Sequence, residues 1–233
     1  MSGTLHGVGV GPGDPELMTL KAHRLISTAP VIAYPAPDTG PSFARKIASG
    51  AIGAGAEEIA IRIPMREDRF PAQDVYDEAA ATLSDRLSRG LDVVVLCEGD
   101  PFFYGSFMYL FARLADRHPS QIVPGVASLA ACAASAGRPL SARNEALTVL
   151  PGPLDDAALE HRLADGGAAA IMKVGRHLPR LRALIARLGL TERAVYVARA
   201  SLPDEAVLPL AEAPQSAPYF SMILIHGCDP YVS

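Results

Sequence analysis

The chain has 233 residues, 49% of them apolar and 20% charged, so it can bury a sizeable core and is not a disordered polymer. Its formal net charge of -4 removes the basic footprint of most nucleic-acid binders. The apolar runs are strand-sized, short of the roughly 18 residues of a membrane span, and Met1-Ser2-Gly3-Thr4-Leu5-His6 lacks a basic region followed by an apolar core. Cys97, Cys132 and Cys228 form no CxxC and the histidines no HExxH. The expectation is a cytoplasmic protein without a metal site.

The first half alternates strand and helix signals, the pattern of a parallel α/β sheet. Thr4–Gly11 reads as a strand entering a glycine-rich turn. Asp14, Pro15 and Glu16 then read as the cap and first turn of a helix carrying Met18, Ala22, Leu25 and Ile26 on one face. Val31–Tyr34 is a second strand, closed by the turn-rich Pro35-Ala36-Pro37-Asp38, and Glu58–Ile63 a third. A long helix is predicted over about Asp74–Arg89, stopped by Gly90. Val93–Leu96 is unbroken apolar, as a strand covered on both faces must be. Phe107, Leu110, Phe111 and Leu114 mark the next helix, Gln121–Pro124 a fifth strand, and Val126–Ala136 a helix of small residues. Pro139 bars its continuation, which places a domain boundary there: 1–138 and 139–233.

The second half is less regular. Strands are predicted at Ala146–Leu150, Ala169–Val174, Ala194–Arg199 and Tyr219–His226, and helices at Asp156–Ala164 and Leu178–Leu188. Prolines 203, 209, 214 and 218 break the stretch before the last strand, giving a smaller α/β domain with a mixed sheet.

Gly7-Val8-Gly9-Val10-Gly11-Pro12-Gly13-Asp14 invites a dinucleotide-loop reading, but the spacing refuses it. A GxGxxG begun at Gly7 needs glycine where Pro12 stands, and begun at Gly9 needs it at Asp14. No Gly-Lys pair offers a P-loop. Asp14 also occupies the place where a phosphate would be held. A ligand without phosphate and with a positive centre, such as S-adenosylmethionine, suits this turn better.

A second turn follows the buried strand, Cys97-Glu98-Gly99-Asp100-Pro101-Phe102-Phe103-Tyr104-Gly105-Ser106, and a third, Val123-Pro124-Gly125-Val126-Ala127-Ser128, follows the fifth. Ligands of open α/β sheets bind beyond the carboxyl ends of strands, so the three turns read as a cofactor rim. Their motifs, in order, resemble those of the tetrapyrrole (corrin/porphyrin) methylase family. They are Gly9–Asp14, Glu98–Pro101 through Tyr104-Gly105, and Pro124–Ser128, followed by Ile171-Met172-Lys173-Val174-Gly175 and Val197-Ala198-Arg199-Ala200.

The resemblance implies two α/β domains with S-adenosylmethionine in the cleft between them, no metal, and a homodimer. It implies cofactor contacts at Pro12, Glu98, Gly99, Asp100, Phe103, Ala127, Ser128, Met172 and Ala200. Within the family, Glu98 before Gly99, Phe102–Phe107 and the ending Tyr219–Ile225 are most similar to the branch that methylates carbon 20 of a precorrin-2-type tetrapyrrole. The cobalt-containing form of that substrate and other ring positions stay open as alternatives. A relative's aspartate after the second strand, proposed as a base, has no counterpart, because Pro35 follows Tyr34. No catalytic base is therefore carried over; Tyr104, Asp100 and Asp14 are candidate proton acceptors, and the macrocycle's own nitrogens are the alternative. The substrate's acetate and propionate arms call for cations, and Arg66 and Arg69 are candidate partners, together with Tyr104; the alternative is a solvated connector whose arginines pair with Glu67 and Asp68.

Overall fold

The computed structural model describes residues 2–64 and 71–227. Arg66, Arg69 and Cys228 lie outside the described residues. The chain divides into two compact units, Met1–Ala127 and Ser128–Ser233. This division precedes the small-residue helix, whereas the sequence reading drew the boundary after it.

The first unit is a five-stranded sheet in the order β3-β2-β4-β1-β5. Its strands are β1 (Leu5–Gly9), β2 (Val31–Pro37), β3 (Glu57–Ile63), β4 (Val93–Cys97) and β5 (Ser120–Val123), and every pairing is parallel. Period-two alternation sorts the side chains of β4 onto two cores. Val93, Val95 and Cys97 pack with Tyr76, Leu83 and Leu87 of α3 (Pro71–Ser88) and Phe107, Leu110 and Leu114 of α4 (Phe107–Leu114). Val94 and Leu96 pack with Ala22 and Ile26 of α1 (Leu20–Thr28) and Ala44, Ile47 and Ala48 of α2 (Phe43–Ala48). Gly7 is needed in β1 because a Cβ there would lie 2.3 Å from the Phe107 ring.

Two local expectations change. Asp14 caps only a 3-10 turn, Pro15–Leu17, its carboxylate accepting from Glu16 N at 2.8 Å. Met18 then turns extended, and α1 starts afresh with Thr19 as cap, accepting from Ala22 N at 3.1 Å. β2 meanwhile runs through both prolines that read as a turn. It pairs with β4 only at Val31–Ala33 and thereafter with β3 alone, so one flank has no ladder for Pro35 or Pro37 to interrupt.

The second unit is a mixed sheet in the order β6-β7-β10-β8-β9. Its strands are β6 (Leu147–Pro151), β7 (Ala168–Met172), β8 (Ala194–Ala198), β9 (Ala206–Pro209) and β10 (Ser221–Ile225). β6 and β7 are parallel, while β10 is antiparallel to both neighbours and β9 to β8. One core gathers Leu159 and Leu163 of α6 (Asp156–Leu163) and Leu181, Leu184 and Ile185 of α7 (Leu178–Arg187) against Ile171, Tyr196 and Ile223. The small-residue helix α5 (Ser128–Ala136) packs on β8 and β10, which explains its membership of this unit. β9 is a strand the proline-rich reading missed. It lies at the sheet edge and ends at Pro209, where a missing N–H costs little. Among the described residues, no helix is long and apolar enough to cross a membrane.

Candidate functional site

In the first unit the turns after β1, β4 and β5 converge at the carboxyl edge of the sheet. Gly11 and Gly99 form an antiparallel bridge, Gly11 N donating to Gly99 O at 3.3 Å and Gly99 N to Gly11 O at 2.8 Å. A Cβ on Gly125 would lie 2.1 Å from Gly99 O, and one on Gly9 2.5 Å from the same oxygen. Gly99 itself has a φ of 63°, in the left-handed region. Glycine is therefore required for the three turns to pack on each other, and the resulting knot presents peptide groups rather than side chains.

Asp100 ties this knot with its carboxylate. One oxygen accepts from Gly125 N at 3.1 Å and the other from Phe102 N at 2.9 Å. A carboxylate so engaged is a brace, which weakens its candidacy as proton acceptor. Glu98 faces elsewhere: it accepts from Ala44 N at 3.2 Å, in the first turn of α2. Burial pushes the Glu98 carboxyl above the ordinary range, opposed by hydrogen bonds from its own N–H and that of Ala44. Its side chain thus joins the turn after β4 to the helix after β2, a role invisible in local spacing because the two partners lie 54 residues apart.

Pro12 is half-buried in the turn after β1. Beyond Asp100, Phe103 is half-buried against Tyr104, their ring centroids 5.3 Å apart at 78°. Tyr104 is 43% exposed and has a φ of 58°, unusual for a bulky residue. The next residue must be glycine, since a Cβ on Gly105 would sit 2.5 Å from Pro101 O. The described part of the arginine segment also braces: Arg62 donates to Pro37 O at 2.9 Å and Gly40 O at 3.2 Å.

Ala127 and Ser128 are the covalent junction of the two units. In the second unit, Met172 ends β7, and Ala200 lies just beyond β8, both buried. The structure thus brings Pro12, Gly99 and Asp100 into one cluster of turns, and sets Met172 and Ala200 at strand ends on either side of β10. Among the described residues, no group of three or more His, Cys, Asp or Glu could hold a metal ion.

A family model described as Tetrapyrrole (Corrin/Porphyrin) Methylases matches residues 4–214, and the chain belongs to that family. Over 97% of its length it is 41% identical to a precorrin-2 C(20)-methyltransferase of a Sinorhizobium species, covering 96% of that protein. A cobalt-precorrin-2 C(20)-methyltransferase of Salmonella typhimurium is 31% identical, with 97% of each chain covered. The fold is shared with a solved cobalt precorrin-4 methyltransferase, with a TM-score of 0.76, 24% identity, and 96% of this chain and 94% of that one covered. It is shared too with a uroporphyrin-III C-methyl transferase from Thermus thermophilus complexed with S-adenyl homocysteine, with a TM-score of 0.69 and 24% identity. That match covers 95% of this chain and 97% of the other.

Proposed function

We propose that this chain transfers a methyl group from S-adenosylmethionine to carbon 20 of precorrin-2, giving precorrin-3A in cobalamin synthesis. The observation that carries the reading is the 41% identity, nearly end to end, with a methyltransferase named for that substrate and position. The residues fit the methyl donor: glycine keeps side chains out of the knot of turns, and no P-loop or dinucleotide spacing awaits a phosphate. Cofactor contacts are assigned by motif to Pro12, Glu98, Gly99, Asp100, Phe103, Ala127, Ser128, Met172 and Ala200. For Glu98 the assignment is to its peptide, since its carboxylate serves α2.

S-adenosylmethionine supplies an electrophilic methyl on a positively charged sulfur. The bridging carbon of the macrocycle, part of an electron-rich enamine-like system, is the attacking atom. The chain's contribution is orientation and exclusion of water, worth up to ~7–11 kcal/mol in well-oriented systems. The rigid backbone knot, locked by Asp100, suits that task. With Asp100 engaged by two N–H groups and Asp14 capping a turn, no side chain is assigned to receive the departing proton, which the macrocycle's own nitrogens can accept. Arg66, Arg69 and Tyr104 are assigned to the substrate, and the working form to a cytoplasmic homodimer.

The Salmonella relative favours a second reading, in which the substrate already carries cobalt. Comparing kcat/KM for precorrin-2 and its cobalt complex tests this directly. The metal-free substrate is expected to win; preference for the cobalt complex would move the chain to the second reading.

A further inference from the structure

We propose that Lys173 and Arg199 bind carboxylate arms of the macrocyclic substrate, with Tyr219 and Phe220 forming the surface on which its ring system rests. The inference builds on the reading of the chain as a tetrapyrrole methylase. It starts from the backbone. Among the described residues, five that are not glycine adopt positive φ: Tyr104, Arg143, Lys173, Arg199 and Ser201. Three of them lie at one edge of the second sheet, directly after β7 and β8. Lysine and arginine have no local reason to adopt this conformation, which asparagine, aspartate and glycine favour. Strain held in place by the surrounding structure is a mark of a functional position.

The register puts the two cations on either side of the start of β10. Ile223 pairs with Ile171 and Ser221 with Ala198, so β10 separates the ends of β7 and β8. With strands about 4.8 Å apart, the Lys173 and Arg199 backbones lie on the order of 10 Å from each other. That spacing suits two arms on the rim of one macrocycle. Their neighbours Met172 and Ala200 are buried while Lys173 and Arg199 are exposed.

The same edge carries the aromatic pair. Tyr219 is 66% exposed and Phe220 38%, their rings 5.0 Å apart, edge to face. Phe220 O accepts from Arg199 N at 2.8 Å, which fixes the pair beside the arginine. Arg199 also meets Asp204 at 2.6 Å, but both partners are exposed. Such a pair is weak and can exchange for a ligand carboxylate. Glu205 holds the turn: its carboxylate accepts from Ser201 N at 2.6 Å and from the Ser135 hydroxyl at 2.7 Å. It is a positioning residue, tying the left-handed segment to α5. Cations flanking an aromatic surface match a polycarboxylic macrocycle.

The test uses Lys173→Gln, Arg199→Gln, the double variant and Lys173→Gly. Binding of uroporphyrin, a polycarboxylic tetrapyrrole, is followed by fluorescence titration, and S-adenosylhomocysteine binding by calorimetry. Tetrapyrrole affinity is expected to fall several-fold in each glutamine variant and on the order of tenfold in the pair, with less effect of salt. S-adenosylhomocysteine affinity should be unchanged. Lys173→Gly should bind the tetrapyrrole more weakly yet melt at a higher temperature, because glycine relieves the backbone; a purely structural lysine would lower both. Unchanged tetrapyrrole affinity overturns the proposal, as does a wild type that binds no uroporphyrin. A fall confined to S-adenosylhomocysteine also overturns it, by assigning the cations to the methyl donor's carboxylate. Weakened tetrapyrrole binding alongside a wild type that methylates no precorrin would support this site while refuting the proposed reaction.

Discussion

Asp100 was legible in the sequence as a turn residue, and its two hydrogen bonds reveal a larger task. Replacing it with alanine leaves Gly125 N and Phe102 N without their partner. The expected cost is about 1–3 kcal/mol in denaturant unfolding, together with weakened S-adenosylhomocysteine binding. Asp100→Asn keeps one acceptor oxygen and should lose less of both. Equal stability of wild type and the alanine variant would remove Asp100 from its bracing role. Glu98 makes a second residue-level case, because its buried carboxyl titrates above the ordinary value of 4.5. The folded state then holds this proton more tightly than the unfolded chain, so stability is lost as pH rises through that raised value. Glu98→Gln still offers an oxygen to Ala44 N and escapes this loss. It should match or exceed wild-type stability above neutrality, with the difference vanishing towards about pH 4. Glu98→Ala should be less stable at every pH, since Ala44 N is left bare. A glutamine variant weaker than wild type at high pH would mean that the charge itself is needed.

At the scale of elements, periodicity served best where one face or both are covered. Alternating core membership along β4 and the 3.6-residue spacing of α4 both follow from burial. Misreadings arose where tertiary pairing overrode local chemistry. Pro35 and Pro37 extend β2 because β3 alone flanks them; the late start of α1 is instead local, since Asp14 caps a 3-10 turn and Thr19 caps the helix. No local signal could reveal the bond from Glu98 to α2 or the pairing that makes β9. Long-range side-chain ties also fasten the N-terminal segment. His118 is buried between Ser2 and the Ser84 hydroxyl of α3, its ring nitrogens 2.9 and 2.8 Å from the two oxygens. Burial and the nearby Arg117 hold its titration below the usual 6.5. The unfolded chain therefore takes up this proton first, and stability contributed by neutral His118 starts to fall below about pH 6.5 and is lost as pH drops through its lowered folded value. His118→Gln should be less stable than wild type near pH 8, and the gap should narrow at about pH 5. A gap that widens on acidification would mean that the charged form is the one the fold prefers.

Across the whole molecule, five motifs in order, four of them containing glycine, made the family readable, while the chemistry of the substrate was less so. The acidic chain still has to hold an acidic ring, and its expected cations divided unevenly. Arg66 and Arg69 stood out as a run in sequence, whereas Lys173 and Arg199 come together only through the order of β7, β10 and β8. The proposed reaction makes a sharp demand on the product. The protein should be incubated with precorrin-2 and S-adenosylmethionine carrying a carbon-13 methyl group, and the product examined by mass spectrometry and NMR. The reading of the chain as a carbon-20 methylase predicts a gain of one methyl, with the labelled carbon bonded to carbon 20. A label at any other ring position, or unlabelled precorrin-2 after turnover conditions in which S-adenosylhomocysteine is shown to bind, would contradict it.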